Sequence, residues 1–330
     1  MYLDETWVTL TPNTSTGSFP PTDWEGRAVD TRRLESFVKI VDVGSITKAA
    51  DILHIAQPAL SQQISALESQ FKQKLLIRSK QGVVPTEAGR ALYQQAQIIL
   101  RQVELAQAAV RTSGRAPAGR VSIGLAPLTS GSALALPLLK QVRRRYPDIV
   151  LYINQHFGGV LSEAIMTGRM DMAYIYDSGP RRGVELEPVL TEQLMIVAAP
   201  GSDLGDPLTG VIGLADLAEV PLLLPSGVHT LRQVMDARLG ELSLRPRIAA
   251  ELDSIVIMIQ AVRAGLGTAV MPQSVQHHFD LKDLTLRRIV DPEITLTVSI
   301  CTSENQPMSE PALVVHQVLL ELIQSLATAG

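Results

Sequence analysis

Five residues near position 60 have side chains suited to contacting the edges of DNA bases. Gln57 and Gln62 carry amides, and an amide can form two hydrogen bonds to adenine in the major groove. Ser61 can donate to or accept from several bases, while Pro58 and Ala59 offer apolar contact to a thymine methyl group. Their spacing places them at the start and on the outward face of one predicted helix, where base reading would occur. A solvated surface position is the alternative for Gln62.

Three short amphipathic helices are predicted to position these residues. Apolar residues recur at helical spacing in three segments, and the third segment carries the polar face described above. Gly44 can end the first helix, Ser45 can cap the second, and Pro58 suits the first turn of the third, where its missing N–H costs nothing. This pattern predicts a helix-turn-helix. The three buried stripes are Leu34, Phe37, Val38 and Val41; Ile46, Ala49, Ala50 and Leu53; and Leu60, Ile64, Leu67 and Phe71.

A basic β-hairpin is predicted to follow the third helix. The segment LLIRSKQGVVPTEAG indicates a strand, a turn at Lys80-Gln81-Gly82 and a second strand that ends at Pro85, which together form a wing. Polar groups at helix starts and on the wing are better placed for phosphates, which set the register on DNA without specifying its sequence. The predicted phosphate contacts are Ser45, Thr47, Lys48, Arg78, Lys80 and Thr86.

A long helix is predicted after the wing, with Thr86 as its cap and Glu87 in the first turn, where a negative charge suits the helix dipole. Its apolar residues step by four, three, four, three and four, which is typical of a coiled coil. We therefore favour pairing of this helix between two chains over an ordinary amphipathic helix with a broader apolar stripe. Gly and Pro in residues 112–120 then mark a domain boundary. The predicted dimer seam consists of Leu92, Ala96, Ile99, Val103, Ala106 and Val110.

From residue 121 onward, apolar strands alternate with helices, which predicts an α/β body with parallel sheets covered on both faces. One large sheet and two smaller lobes both fit this length. Ligands of open α/β sheets bind beyond the carboxyl ends of strands, and N–H groups at helix starts suit an anion. Ser and Thr at helix starts are also ordinary caps, so both interpretations stay open. The candidate effector residues are Thr129, Ser130, Ser132, Ser226, His229 and Thr230.

The charge distribution points to a nucleic-acid-binding segment between two acidic ones. The 330-residue chain has a net charge of −4, yet residues 31–120 hold 13 Lys and Arg against 6 Asp and Glu. Residues 1–30 hold 1 against 5, and residues 121–330 hold 15 against 22. The single cysteine, Cys301, excludes an internal disulfide framework and fits a reducing cytoplasm. Since no apolar run is long enough to span a bilayer, we expect no membrane partner.

The residues from Phe37 to Gly89 resemble those of a known family. The run FVKIVDVGSITKAADILHIAQPALSQQISALESQFKQKLLIRSKQGVVPTEAG is similar to the DNA-binding domain of LysR-type transcriptional regulators. HIAQPALSQQ and VSIGLAP are closest to the nitrogen assimilation control branch of that family. The resemblance implies an α/β fold with an N-terminal winged helix-turn-helix, a long linker helix and two Rossmann-like lobes resembling type 2 periplasmic binding proteins.

The same resemblance implies partners and a role. The target is double-stranded DNA, the assembly a homodimer or homotetramer, and the outcome activation or repression of nitrogen assimilation or related metabolic genes. A small-molecule effector and RNA polymerase are further expected partners.

Domain boundaries follow from the sequence punctuation together with the resemblance. Residues 1–29 show no periodicity and are predicted to be a disordered extension, either a genuine arm or a segment before a true start near Val29. The chain is expected to cross between the lobes near residues 193–199 and 295–301. The predicted domains are 30–87, the winged helix-turn-helix; 88–120, the linker helix and hinge; and 121–330, the regulatory domain, with lobe I at 121–194 and 301–330 and lobe II at 195–300.

We find no enzyme signature in the sequence. GLGTAV begins like a dinucleotide-binding loop, but Val270 stands where the third glycine is required, and there is neither a nucleophile elbow nor a P-loop. His277, His278 and Asp280 have no further ligand at metal-binding spacing, and Cys301 is expected to be buried. We therefore expect no catalytic residue, metal or cofactor. The alternatives are a small-molecule-binding α/β protein for sensing or transport, and an α/β enzyme with an appended DNA-binding domain.

Overall fold

A computed structural model describes residues 30–79, 82–112, 116–202, 204 and 209–329. The chain forms two compact units, and the boundary between them falls between Tyr93 and Gln94. The predictions for residues 1–29 and for Lys80 lie outside the described residues.

Three helices form the core of the first unit, and local residue chemistry sets their ends. The side chain of Asp30 accepts a hydrogen bond from the N–H of Arg32 at 2.9 Å and caps the first helix. That helix ends at Gly44, whose φ of 67° lies in the left-handed region that glycine adopts without strain. Ser45 caps the second helix by accepting from the N–H of Lys48, as predicted. The helices are α1 (Thr31–Val43), α2 (Ile46–Leu53) and α3 (Gln57–Phe71).

The predicted wing is a two-stranded antiparallel hairpin, β1 (Leu76–Ser79) and β2 (Gly82–Pro85). It contacts the turn between α1 and α2 through a 2.8 Å backbone hydrogen bond from the N–H of Val83 to the carbonyl of Gly44. A Cβ on Gly82 would lie 2.7 Å from that same carbonyl oxygen, so this close approach requires glycine. Backbone contacts therefore fix the wing against the helices.

The long helix α4 (Glu87–Thr112) begins at the predicted cap. The hydroxyl of Thr86 accepts the N–H of Gly89 at 2.9 Å and donates its proton to the carbonyl of Lys74 at 2.7 Å. Thr86 therefore holds the start of α4 against the start of the wing. Neither this helix nor any other described helix is long and apolar enough to cross a membrane.

The second unit is an α/β body. Its strands are β3 (Gly119–Leu125), β4 (Ile149–Gln155), β5 (Met172–Tyr176), β6 (Val184–Ala198), β7 (Val211–Gly213), β8 (Pro221–Leu224), β9 (Arg247–Glu251), β10 (Thr268–Pro272), β11 (Thr285–Val290) and β12 (Thr295–Ser303). Its helices are α5 (Gly131–Arg145), α6 (Gly158–Met166), α7 (Thr230–Glu241), α8 (Ile255–Arg263) and α9 (Glu310–Ala329).

Strand pairing divides this unit into two lobes. The first lobe has the order β4-β3-β5-β12-β6, and the second continues from β6 through β10 and β8 to β9, with β11 on β6 and β7 on β11. β3 is parallel to β4 and β5, and β8 is parallel to β9 and β10. The sequence pattern predicted parallel sheets, but the sheets are mixed. β6 and β12, the two strands nearest the lobe junction, run antiparallel to their neighbours.

Helices cover both faces of each lobe. In the first lobe, α5 buries Leu134 and Leu138 on one face, and α6 buries Ile165 on the other. In the second lobe, Met235 of α7 and Met258 of α8 likewise enter separate apolar clusters. This layering, with apolar strands between two helical layers, is what the alternating sequence pattern predicts.

Strand β6 belongs to both lobes. Residues 184–193 pair with β12, whereas residues 194–198 pair with β10 and β11. β12 begins at Thr295 and pairs with β5 and with the first-lobe part of β6. Residues 295–300 therefore lie in the first lobe, and their expected assignment to lobe II is corrected. The chain returns to the first lobe before β12 begins.

Candidate DNA interface and regulatory cleft

The N-terminal end of α3 presents the predicted base-reading residues on one surface. Gln57, Pro58, Ala59 and Gln62 are exposed, and Ser61 is half-buried among them. α1 and α2 both pack against α3. Leu60, Ile64 and Leu67 of the predicted apolar stripe of α3 are fully buried, whereas Phe71, predicted to be buried with them, is 39% exposed at the end of the helix.

Two of these side chains are joined to each other. Gln57 Nε2 donates to Ser61 Oγ at 2.9 Å, one helical turn later. An amide has two N–H donors and an acceptor oxygen, so one donor and the oxygen of Gln57 can still face adenine. Ala56 occupies the N-cap of α3 and has no side-chain acceptor, so the first N–H groups of the helix favour an anion such as a phosphate.

The predicted phosphate contacts among the described residues lie at the starts of α2 and α4 and on β1. Thr47 and Lys48 are exposed in the first turn of α2, and Arg78 is exposed on β1. Ser45 accepts the N–H of Lys48 at 3.4 Å, so its own proton is available to a phosphate oxygen. Thr86 donates its proton to a backbone carbonyl and therefore cannot donate to a phosphate. We correct its assignment to that of a helix cap.

The sequence did not identify Glu68, a buried carboxylate that joins α3 to the wing. Glu68 Oε1 accepts the N–H of Leu75 at 3.0 Å and of Leu76 at 3.4 Å, and Oε2 accepts from Lys74 Nζ at 2.8 Å. Burial opposes the charged form, but these three bonds outweigh it and lower the pKa of Glu68 below its ordinary value. The sequence held one clue, a charged residue next to Leu67 on the buried stripe.

The predicted dimer seam on α4 is mostly at the surface. Ile99 is 42%, Val103 36% and Val110 81% exposed. Ala96 is fully buried within the chain, so it cannot contact a second chain, and its assignment to the seam is corrected. The other two positions are Leu92, which is half-buried, and Ala106, which is exposed.

The loop between β3 and α5 places Thr129 and Ser130 inside the protein. They are 3% and 2% exposed. The hydroxyl of Thr129 donates to the carbonyl of Ala126 at 2.8 Å and accepts the N–H of Gly131 at 3.0 Å, so it stabilises the start of α5. Both residues are structural in this arrangement, and their expected role as effector contacts is corrected.

A second carboxylate that the sequence analysis did not identify lies beside this loop. Glu192 is 4% exposed. It accepts hydrogen bonds from the N–H of Ser130 at 2.9 Å and from the hydroxyls of Tyr176 at 2.6 Å and Ser274 at 3.2 Å. Tyr174 bonds the hydroxyl of Ser130 at 2.7 Å. Burial and the neighbouring Glu192 raise the pKa of both tyrosines, which keeps their hydroxyls protonated.

An open cavity of about 340 Å³ lies next to this loop and is lined by both lobes. Ser132, Gln155 and Phe157 line it from the first lobe, and Asp253 and Ser254 from the second. Gln155 donates to the hydroxyl of Ser132 at 3.1 Å. Ser132 is thus a predicted effector residue that does face a cavity of ligand size.

The predicted effector residues of the second lobe do not line this cavity, but Ser226 and His229 contact residues that do. The N–H and hydroxyl of Ser226 donate to Asp253 at 2.9 and 3.0 Å and hold that carboxylate in place. His229 is 4% exposed and packs edge-on against Phe157 of the first lobe, with ring centroids 5.4 Å apart. Burial lowers the pKa of His229, and Asp253 opposes this shift. Thr230 is half-buried at the first position of α7.

Comparison with known families decides the identity. Residues 31–90 match the bacterial regulatory helix-turn-helix protein, lysR family, and residues 114–324 match the LysR substrate binding domain. The chain belongs to the LysR family. The resemblance predicted from the sequence and the predicted fold class are thereby confirmed.

Two LysR relatives align over nearly the whole chain. The nitrogen assimilation regulatory protein nac of Escherichia coli (strain K12) is 40% identical over 298 residues, which are 89% of this chain and 95% of that protein. Its counterpart in Klebsiella aerogenes is 40% identical over 296 residues, 88% of this chain and 94% of that protein. The chain is therefore a LysR-type transcriptional regulator that binds DNA and is close in sequence to these proteins.

Solved LysR structures share the fold. Full-length OxyR from Pseudomonas aeruginosa has a TM-score of 0.69 at 24% identity, covering 90% of this chain and 95% of its own. CbnR in complex with its target DNA has a TM-score of 0.63 at 21% identity, covering 90% of this chain and all of its own. At such identities the likeness establishes the arrangement of elements and no more.

Proposed function

We propose that this LysR regulator reads its operator with the N-terminal end of α3. Gln57, Ser61 and Gln62 contact base edges, and Pro58 and Ala59 contact thymine methyl groups. The observation that carries the proposal is the 2.9 Å hydrogen bond between Gln57 and Ser61 on the exposed face. It presents an amide and a hydroxyl together at the helix end that approaches bases in helix-turn-helix proteins.

Phosphate contacts on either side of α3 set the register. Ser45, Thr47 and Lys48 act from the start of α2 and Arg78 acts from the wing, while Lys80 stays a prediction. These contacts add affinity that falls with salt and carries no sequence preference.

The regulator works as a homodimer or homotetramer paired along α4. The exposed apolar residues Ile99, Val103 and Val110 support this assembly, since a second helix would remove them from water. Two copies of α3 then contact half-sites separated by about one helical turn of DNA, or a multiple of it.

The genes under control belong to nitrogen assimilation or related metabolism. The support for this is the 40% identity with the two nac proteins. The regulator activates or represses transcription in the cytoplasm, with RNA polymerase as a partner, and it catalyses no reaction. Its working division is 30–87 for DNA binding, 88–120 for the linker and 121–330 for regulation.

A small-molecule effector binds in the cavity between the lobes. Ser132, Gln155 and Phe157 contact it from one side and Asp253 from the other, with Ser226, His229 and Thr230 supporting that wall. A ligand that binds only the folded state stabilises it, so the melting temperature rises as the free ligand concentration increases above the dissociation constant. A library of metabolites that leaves the melting temperature unchanged at saturating concentration contradicts an effector site here.

Selection of genomic fragments by the purified protein at two salt concentrations tests the DNA proposal. We expect enrichment of an interrupted dyad whose half-sites follow the helical repeat, retained at the higher salt. Unenriched DNA whose binding disappears at the higher salt would indicate phosphate attraction alone and overturn the assigned base contacts.

A further inference from the structure

The carboxylate of Glu192 lies where the two lobes meet. Glu192 is on the first-lobe part of β6, and Ser130 and Tyr176, which donate to it, belong to the same lobe. Its third donor, Ser274, lies in the short 3-10 helix Gln273–His277 of the second lobe. A buried carboxylate requires such donors, since they replace the water that it loses. One side chain therefore bonds to both lobes, through two buried hydrogen bonds within the first lobe and one half-buried hydrogen bond to the second.

The same carboxylate supports the loop between β3 and α5. The hydroxyl of Tyr176 shares its proton between Glu192 Oε2 at 2.6 Å and the carbonyl of Leu128 at 2.8 Å. Leu128 has a φ of 56°, a conformation that persists in leucine only where the surroundings impose it. Its side chain is fully buried in the second-lobe cluster that includes Val197 and Met258. The loop thus leaves one lobe and inserts into the other, with Glu192 at its base.

We propose that Glu192 is an internal anion that occupies the donors between the lobes, holds the lobes together, and excludes free carboxylates from this position. A carboxylate from solution would need the same groups, the N–H at the start of α5 and the hydroxyls of Tyr176 and Ser274. All three donate to Glu192. Neither Glu192 nor any of its three donors lines the neighbouring cavity, so the proposal stands whether or not an effector binds there.

Chemical rescue of Glu192→Ala tests the donor set. The variant leaves buried N–H and O–H groups without an acceptor, and we expect its melting temperature to fall by about 5 °C or more. Sodium formate supplies the carboxylate group that the variant lacks and is expected to restore most of that loss, relative to sodium chloride at equal ionic strength. Two controls are wild type and Glu185→Ala, which removes an exposed carboxylate from the same strand. Each is expected to have the same melting temperature in sodium formate as in sodium chloride.

Three results overturn the proposal. The first is that Glu192→Ala has the same melting temperature as wild type. The second is that formate leaves the lowered melting temperature of Glu192→Ala unchanged, and the third is that formate raises the melting temperature of wild type. The last result would mean that the donors are open to a free carboxylate when Ser132→Ala, which removes a hydroxyl that lines the neighbouring cavity, shows the same rise.

Ser274→Ala tests the connection between the lobes by a milder change. It removes the second-lobe donor and leaves Ser130 and Tyr176 bonded to Glu192, so we expect the variant to fold. We expect deuterium uptake in residues 126–130 and 273–277 to be at least several-fold faster, with the same uptake as wild type in α6 and α9. Unchanged uptake in the two segments shows that Glu192 does not hold the lobes together.

Discussion

Gln57 donates a hydrogen bond to Ser61, one turn further along the exposed face of α3, at 2.9 Å. The bond orients the amide in the absence of DNA, so less side-chain entropy is lost when a base is contacted. It also links the two residues functionally, because moving one changes the direction of the other.

Gln57→Ala is expected to cost about 1–3 kcal/mol of binding free energy and to relax selectivity at one base position. The matched control is Ser69→Ala, an exposed polar position at the far end of α3. Binding to a panel of single-base operator variants measures both effects. Equal weakening on all sequences would show that Gln57 does not read a base.

Glu68→Gln is expected to destabilise the first unit by about 1–3 kcal/mol, because the amide N–H₂ group that replaces Oε2 cannot accept from Lys74, and the uncharged oxygen is a weaker acceptor for the N–H groups of Leu75 and Leu76. The measurement is hydrogen exchange of the Leu75 and Leu76 amides, and Glu35→Gln, exposed on α1, is the control. The pKa of Glu68 is lowered in the folded protein, so its contribution is full above the ordinary pKa of 4.5 and is lost as the pH falls below it. If lowering the pH below 4.5 changes the hydrogen-exchange protection of these two amides equally in wild type and Glu68→Gln, this role is contradicted.

Ile99→Glu combined with Val103→Glu is expected to weaken self-association by about tenfold or more, since two charges replace apolar residues that a partner helix would bury. Sedimentation at a series of concentrations measures the change. Gln94→Glu, exposed and directed away from the seam, controls for added charge. An unchanged dissociation constant would place the interface elsewhere.

His229 is expected to make the regulatory domain less stable below neutral pH. Its pKa is lowered on folding from 6.5, so the unfolded chain takes up the proton first and the stability is lost as the pH falls below that value. Within the described residues its Nε2 has no hydrogen-bond partner to compensate a charge. Denaturant unfolding between about pH 7 and about pH 5 measures the loss, which His229→Leu should reduce. Equal pH dependence in wild type and His229→Leu would contradict it.

The DNA-binding part was predictable because its determinants are local. Gly44, Ser45 and Pro58 each set a helix end through their own backbone or side chain, and the apolar spacing sets the buried face. Such features do not require knowledge of residues far away in the sequence.

The effector residues were harder to predict because their surroundings come from distant segments. Ser130 is buried, and its backbone N–H donates to Glu192, which is 62 positions away in the sequence. A hydroxyl residue at a predicted helix start does not indicate such a contact. The strand β9 also escaped prediction, since Arg247–Glu251 has exposed residues and no apolar run. The spacing of apolar residues predicts which side of a helix or strand is buried. It does not predict which strands pair at the edge of a sheet, because that depends on the whole fold.

The two connections between the lobes restrict how the regulatory domain can respond to a ligand. One lies within β6 at residues 193–194, and the other lies between β11 and β12. Two neighbouring chain segments act as a hinge. They allow one lobe to rotate relative to the other about the line that joins the segments, and they resist twisting and translation of the lobes. Opening of the cleft between the lobes is thus reduced to a single degree of freedom. Any molecule that changes the angle between the lobes therefore produces the same kind of movement.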